Sequence, residues 1–466
     1  MPRPAGKPGK ARQRRPPDAA DTASAKAPER TQRERLVDAM IELAAEAGYQ
    51  AVSVAKVSSR ARVSSATFYE QFDGKESCFL AAYREARRRV FRRMPLVPDA
   101  GSTWSDATRL TLGGLIEGLR SDPDAGRVLF VEAFAGGPRV REQRERLLRW
   151  YEDRALSFLD GMPRDGESLD IPVAALEGAV RSILARHLRT QSEERLPQLL
   201  DDMLAWVACY SMPAGTARWS TGPGALLPEQ PARARRPSSE RRRLPRGRHG
   251  LPSGVVARSQ RTRIVLGTAE VMMAKGYAQA TITDIVAAAG VARDVFYAHF
   301  TDKQSVFLAA QQYASQHLID TCATEYFSAR DWPERVWRAL RTLLGLTAEN
   351  PSISHLRLVE CHAAGPAAIR STDEILRSAT IFLEEGYAHR PQAQSLPRLC
   401  SQAITGAVFE VIYRHVARGE AAALPRHLPE LTYIALTPFT GREEAIGLVE
   451  GLSASQAGSS LHTVET

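Results

Sequence analysis

The chain has 466 residues, 44% of them hydrophobic and 25% charged, with a formal net charge of +9 at pH 7. This is ordinary globular composition, which excludes wholesale disorder and fibrous architectures, and the length implies about three domains or two larger ones. No run of 18 apolar residues is present, so no membrane-spanning helix is expected.

The basic excess is localised. Residues 1–30 hold eight Lys/Arg against three Asp/Glu, and residues 214–257 hold nine Arg against two Glu. Both stretches are rich in Pro, Gly, Ser and Ala and cannot bury enough apolar surface to fold alone. They read as a disordered basic arm and an Arg-rich flexible linker, either simply solvated or contacting phosphates without sequence preference. The N-terminus lacks an apolar h-region and does not read as a secretory signal. The cysteines Cys78, Cys209, Cys322, Cys361 and Cys400 form no CxxC pair, which fits a reducing cytoplasm.

After the arm, Leu36, Met40, Leu43 and Ala47 recur at helical spacing, with Arg33, Glu34 and Asp38 on the other side. Gly48 is placed to end that helix. Two short helical segments follow, Val54–Ala61 and a second one behind Val63, and then a longer helix from Lys75.

The same series returns at a constant offset of 228 residues. Residues 32–82 and 260–310 share 18 identities without a gap, among them Gly48/Gly276, Phe68/Phe296, Tyr69/Tyr297 and Lys75/Lys303. The offset persists downstream in Val131-Glu132/Val359-Glu360, Gly137-Pro138/Gly365-Pro366, Gly178-Ala179-Val180/Gly406-Ala407-Val408 and Arg186-His187/Arg414-His415. A whole domain of about 180 residues is therefore present twice, a period too long for a solenoid of short units.

In the second copy, Thr281 or Thr283 can cap a short helix whose Ile282, Ile285 and Val286 face inward. Gly290 supplies a left-handed turn, and a second short helix exposes Arg293, Tyr297 and His299. Two short helices joined by a tight turn on a supporting helix describe a helix-turn-helix, whose second helix fits the major groove. The first copy carries Arg62 in place of Gly290, which costs on the order of 1 kcal/mol in a left-handed turn or else reshapes it.

The pattern from Thr281 through Asp284-Ile285, Ala289-Gly290-Val291, Phe296-Tyr297 and His299-Phe300 to Lys303 resembles the TetR family of bacterial regulators, and Val63 through Lys75 resembles it again. The resemblance implies an all-α fold of two tandem TetR-like units. The expected organisation is arm 1–30, helix-turn-helix domain 31–93, helical regulatory domain 94–213, linker 214–257, helix-turn-helix domain 258–320, helical regulatory domain 321–445 and disordered tail 446–466. It also implies a cytoplasmic regulator of transcription, a ligand-responsive repressor, with a double-stranded DNA operator and an unknown small-molecule effector as partners.

The front of each recognition helix, Ser64, Ser65 and Thr67 in one copy and Ala292, Arg293 and Asp294 in the other, is expected at the DNA, with Thr283 beside the second. Arg293 can read guanine or hold a phosphate. Gln71 and His299 are candidate backbone contacts. By resemblance, Tyr69 and Tyr297 donate hydroxyls to phosphate, and Lys75 and Lys303 bind phosphate as well.

Glu132 and Glu360 sit in apolar stretches and are read as pocket carboxylates or paired interface charges; Phe134 and His362 beside them complete a candidate ligand set. Cys361-His362 lacks a third ligand at useful spacing, so no metal is expected, nor any cofactor. His187 and His415 suit helix C-termini. Gly178 and Gly406, inside apolar helices, favour a close helix interface.

Nothing resembling a phosphate loop, nucleophile elbow or HExxH motif occurs, so the chain is not read as an enzyme. The alternative to a regulator is a ligand-binding or interaction protein with weakened DNA specificity, above all in the first copy. The helices around Val173–Leu188, Leu196–Tyr210, Gln402–Ala417 and Pro425–Leu436 are expected to form an internal four-helix bundle, a pseudo-dimer in one chain, in competition with a homodimer. A 44-residue linker of coil dimensions, roughly 35–40 Å end to end, permits the internal arrangement.

Overall fold

The computed structural model describes residues 31–92, 94, 103–160, 167–213 and 252–462. The arm 1–30 and most of the segment 214–257 lie outside the described residues.

The first copy comprises α1 (Gln32–Ala47), α2 (Val54–Ala61), α3 (Ser65–Gln71), α4 (Lys75–Phe91), α5 (Trp104–Ser121), α6 (Pro123–Phe130), α7 (Pro138–Asp160), α8 (Val173–Arg189) and α9 (Leu199–Ala208). The second comprises α10 (Ser253–Gln279), α11 (Ile282–Ala289), α12 (Arg293–His299), α13 (Lys303–Phe327), α14 (Trp332–Glu349), α15 (Pro351–Leu358), α16 (Pro366–Ala379), α17 (Ile381–Glu384), α18 (Leu399–Arg418), α19 (Leu428–Thr440) and α20 (Arg442–His462). Beside the helices, β1 (Glu167–Leu169) and β2 (Ser211–Pro213) form a short antiparallel ladder with Ser168 opposite Met212. The fold is all-α in class, two tandem units of one design.

Local chemistry fixes the helix ends. Thr31 and Glu34 form a capping box at α1, Thr281 and Asp284 form one at α11, and Ser53 caps α2. Prolines occupy the first turn of α6, α15 and α16, where no backbone donor is lost. Gly48 and Gly276 take φ of 82° and 73° and turn the chain out of the first helix in each copy.

Two helices differ from the sequence expectation. α10 begins at Ser253, inside the segment read as linker. α20 runs where a disordered tail from residue 446 was expected, because Ala445 and Val449 are fully buried against the core.

One continuous core links the head of copy 1 with both helical domains, from Leu36 and Phe68 through Leu184 and Trp206 to Ile404 and Phe439. The head of copy 2 has its own core of Ile264, Met272, Ile285, Phe296, Phe307 and Leu356.

The two copies meet where α8 packs on α18. A Cβ on Gly178 would lie 2.9 Å from the Gly406 carbonyl oxygen, and one on Gly406 would lie 3.1 Å from the Gly178 carbonyl oxygen. The two glycines, 228 positions apart, thus face each other across a local two-fold relation and let the backbones touch.

Candidate nucleic-acid interface and cavity

The turns between the two short helices of each head have the same shape. Arg62 takes φ 55°, ψ 50° and Gly290 takes φ 60°, ψ 43°, both left-handed. The turn of copy 1 is not reshaped, and its arginine bears the steric cost.

Each second short helix is pinned by one buried ring, Phe68 or Phe296. The next residue packs edge-on against it at 5.4 Å in both copies, which leaves Tyr69 61% and Tyr297 47% exposed. These hydroxyls project outward instead of packing in the core. Ser65, Thr283, Ala292, Arg293 and Asp294 are exposed, while Gln71 and His299 are half-buried. Arg293 lies along Tyr297, with its guanidinium 3.5 Å from the hydroxyl.

Ser64 and Thr67 have a local task as well. Ser64 Oγ accepts the Thr67 N–H at 3.0 Å and caps α3, whereas Ala292 gives α12 no side-chain cap.

Lys75 and Lys303, to which the resemblance gives a phosphate role, also have a structural task. Lys75 Nζ donates to the carbonyls of Tyr49 and Val52, both at 3.1 Å, and Lys303 Nζ donates to those of Tyr277 and Ala280 at 2.7 and 3.1 Å. Each ammonium also sits over a tyrosine ring, 4.2 Å from Tyr49 or 4.4 Å from Tyr277. Burial pushes both lysines below their usual pKa. Two of three donors tie the chain behind the first helix to the start of α4 or α13, and one is left on each ammonium.

The candidate ligand set has structural partners of its own. Glu132 accepts the Tyr49 N–H and Glu360 accepts the Tyr277 N–H, each at 2.7 Å. They join the helical domain to the head in both copies. Phe134 and His362, again 228 apart, stack on each other at 4.7 Å between the copies. The His362 Nε2 is buried without a hydrogen-bond partner. Burial, then the charges of Arg181, Arg189, Arg144 and Arg141, push this histidine down to about 3, so it is neutral at pH 7. Glu132 and His362 border a cleft of about 780 Å³ between the copies, together with Arg186, Arg189 and Asp373.

A second cavity, about 560 Å³, lies within the helical domain of copy 2. Leu318, Leu340, Phe382, Ile404, Val408 and Ile412 make its walls apolar, and none of the four predicted ligand residues lines it. The sequence reading missed it because its walls come from seven separate helices.

Charge between the copies is one-sided. Glu410 on α18 is 1% exposed and accepts from Arg144 at 2.9 Å and Arg181 at 3.0 Å, both from copy 1, and from Arg414 at 3.1 Å. Burial opposes ionisation of this carboxyl, but Arg144, Arg181 and Arg414 outweigh it and hold it far below the ordinary range. Arg414 in turn pairs with Glu177 at 2.6 Å and with Glu152. Among the described residues, no group of three His, Cys, Asp or Glu suits a metal ion, and no helix is long and apolar enough to cross a membrane.

Comparison with known proteins agrees with this geometry at both heads. The profile of bacterial regulatory proteins of the tetR family matches residues 36–82 and again 264–310. The fatty acid metabolism regulator protein of Bacillus subtilis is 25% identical over 147 residues, covering 30% of this chain and 74% of the relative. The HTH-type transcriptional activator FasR of Mycolicibacterium smegmatis is 26% identical over 155 residues, covering 33% of this chain and 59% of the relative.

Among solved structures, the fatty acid degradation regulator FadR of Bacillus halodurans is 21% identical, with a TM-score of 0.36, over 38% of this chain and 94% of that one. The transcriptional regulator FadR of Bacillus subtilis, solved in complex with stearoyl-CoA, is 20% identical, with a TM-score of 0.34, over 37% and 96%. Each head, built around an exposed second helix, thus matches the DNA-binding domain of the tetR family of bacterial regulatory proteins, and the chain is a DNA-binding, ligand-responsive transcriptional regulator.

Proposed function

We propose that one chain acts as a complete pseudo-dimeric repressor in the cytoplasm, working by binding and not by catalysis. α3 and α12 each read one half of a single operator, and an effector in the helical domain of copy 2 releases the DNA. Ser65, Thr67, Tyr69 and Gln71 in copy 1, and Thr283, Ala292, Arg293, Asp294, Tyr297 and His299 in copy 2, form the DNA-facing set.

The observation that carries this reading is the one-sided charge network. The counterpart of Glu410 in copy 1 is Ser182, and the counterparts of Arg144 and Arg181 in copy 2 are Thr372 and Phe409. Pairing copy 1 with copy 1 would bury four arginines without Glu410. Pairing copy 2 with copy 2 would bring two Glu410 carboxylates together without Arg144 or Arg181. Breaking a buried pair in this way costs about 3–5 kcal/mol, so the copies prefer each other to their own kind. A linker of this length adds a millimolar effective concentration in favour of the internal pair.

The apolar cavity, together with a relative that regulates fatty acid metabolism, supports an effector with an acyl chain. Selection from random DNA with the full-length chain tests the operator. Two unlike half-sites bound by one chain are expected, because the front of α3 and that of α12 share no side chain before Phe68 and Phe296. A perfect palindrome bound tightly by one chain would overturn the reading.

A further inference from the structure

Arg357, on α15, lines the apolar cavity of copy 2 and is 7% exposed. Among the described residues it has neither an ion pair nor a side-chain hydrogen bond. Burial pushes its pKa down to about 10. Its ionisable neighbours are Cys322 and Cys361, thiols that burial pushes up to about 12 and that are therefore neutral at pH 7. A buried cation without a counter-charge is expensive, and the deeply buried Glu410 and Arg414 between the helical domains are, by contrast, paired.

The cavity's other features say what pays that cost. Its volume of about 560 Å³ is that of a small-molecule site. Phe327 and Ile381 line it and are 69% and 67% exposed, so an apolar rim surrounds the opening. The lining is mostly aliphatic and aromatic, and its one guanidinium is that of Arg357; the carboxylates that also line it, Glu384 and Glu385, are paired with Arg398 and Arg335. A guanidinium fork matches a carboxylate with two parallel hydrogen bonds.

Copy 1 lacks the same provision. At the offset of 228, Arg357 is replaced by Leu129, Ala379 by Tyr151 and Ile319 by Phe91. The rings of Tyr151 and Phe91 pack against each other at 5.5 Å.

We propose that the cavity of copy 2 binds a carboxylic acid with an apolar tail, its carboxylate paired with Arg357, and that each chain binds one such ligand. This rests on the reading of the chain as a ligand-responsive regulator and names the headgroup that regulator senses. One half of the pseudo-dimer has kept sensing, and the other has filled its interior.

Isothermal titration of the full-length chain with dodecanoate, methyl dodecanoate and dodecanoyl-CoA tests it. Dodecanoate is expected to bind one per chain, and more tightly than the ester. Arg357→Leu is expected to weaken dodecanoate by about 10- to 100-fold, the range of a charge-assisted hydrogen-bond pair, and to leave the ester unchanged. Arg357→Leu should also raise the melting temperature of the ligand-free chain. Arg357→Lys should retain part of the acid affinity, and the acid-to-ester comparison needs no variant at all.

Equal affinity for acid and ester, or two acids per chain, would overturn the proposal. Binding of the CoA thioester alone, indifferent to Arg357→Leu, would overturn it and leave the acyl effector standing. Binding of none of the three would overturn both.

Discussion

The Glu360 carboxylate accepts the backbone N–H of Tyr277 at 2.7 Å, just beyond the left-handed Gly276 that ends the first helix of the head. Glu132 holds Tyr49 beyond Gly48 in the same way and at the same distance. The second residue after α6 or α15 is thereby fastened to the end of the head's supporting helix. In copy 2 that joint lies three residues from Arg357, so a short covalent and hydrogen-bonded path connects the cavity with the head. Glu360→Ala should lower stability by about 1.5–3 kcal/mol, the size of a lost hydrogen bond to a charged group. Denaturant unfolding measures it, and an unchanged midpoint would show that the contact contributes nothing.

Glu410 should be the more sensitive carboxylate. Glu410→Gln leaves Arg144 and Arg181 buried against a neutral amide, for an expected loss of about 3–5 kcal/mol. Glu410→Ser, which gives copy 2 the residue of copy 1, should cost as much. A loss below 1 kcal/mol in denaturant unfolding would mean that water or repacking already screens these arginines.

The acid limb of stability should report His362. Its folded pKa, about 3, lies below that of an unfolded histidine, so the unfolded chain takes up a proton that the folded chain refuses. Stability therefore falls as pH drops from about 6.5 towards 3, by at most about 1.4 kcal/mol per unit from this one group. Burial lowers His415 too and adds to the same slope. His362→Phe, which copies Phe134, should flatten the slope without abolishing it. An identical pH profile in the variant would remove His362 from the account.

The strained turn of copy 1 can be relieved. Arg62→Gly should stabilise by about 1 kcal/mol, because only glycine adopts φ 55° without a Cβ clash. The same test in reverse, Gly290→Arg, should destabilise copy 2 by a similar amount. Thermal unfolding of both variants decides it, and a destabilised Arg62→Gly would show that the arginine side chain holds the turn.

The sequence exposed the fold through short-range signals. Gly48, Phe68, Tyr69 and Lys75 recur at one offset, and capping residues such as Thr31 and Thr281 stand next to the helices they start. That Gly178 and Gly406 lie at a close helix interface was legible because glycine in an apolar helix needs a close neighbour to justify it; that they face each other was not. What stayed hidden depends on distant parts of the chain. The carbonyls that hold Lys75 are 23 and 26 residues upstream, and come within reach only when α1 and α4 pack. Arg357 stands among leucines in a stretch that reads as an ordinary amphipathic turn, and nothing local reveals that its guanidinium faces a cavity. α20 was missed because its small residues give little amphipathic contrast.

At the DNA, Tyr69→Phe and Tyr297→Phe should each weaken specific and random duplexes alike and leave the salt slope unchanged, because a neutral hydroxyl releases no counterion. Arg293→Ala should cost about 1–3 kcal/mol at one base pair of the copy 2 half-site and leave the copy 1 half-site unaffected. Fluorescence anisotropy on operators mutated one half at a time separates the two. Equal losses on specific and random DNA would make Arg293 a phosphate contact.

The central claim is that a single chain is the functional pseudo-dimer. Sedimentation equilibrium of the full-length protein at micromolar concentration, alone and with one operator duplex, tests it most directly. The account predicts a mass near 51.2 kDa for the free protein and one chain per duplex in the complex. A free mass of twice that value, or two chains on every duplex, would contradict it.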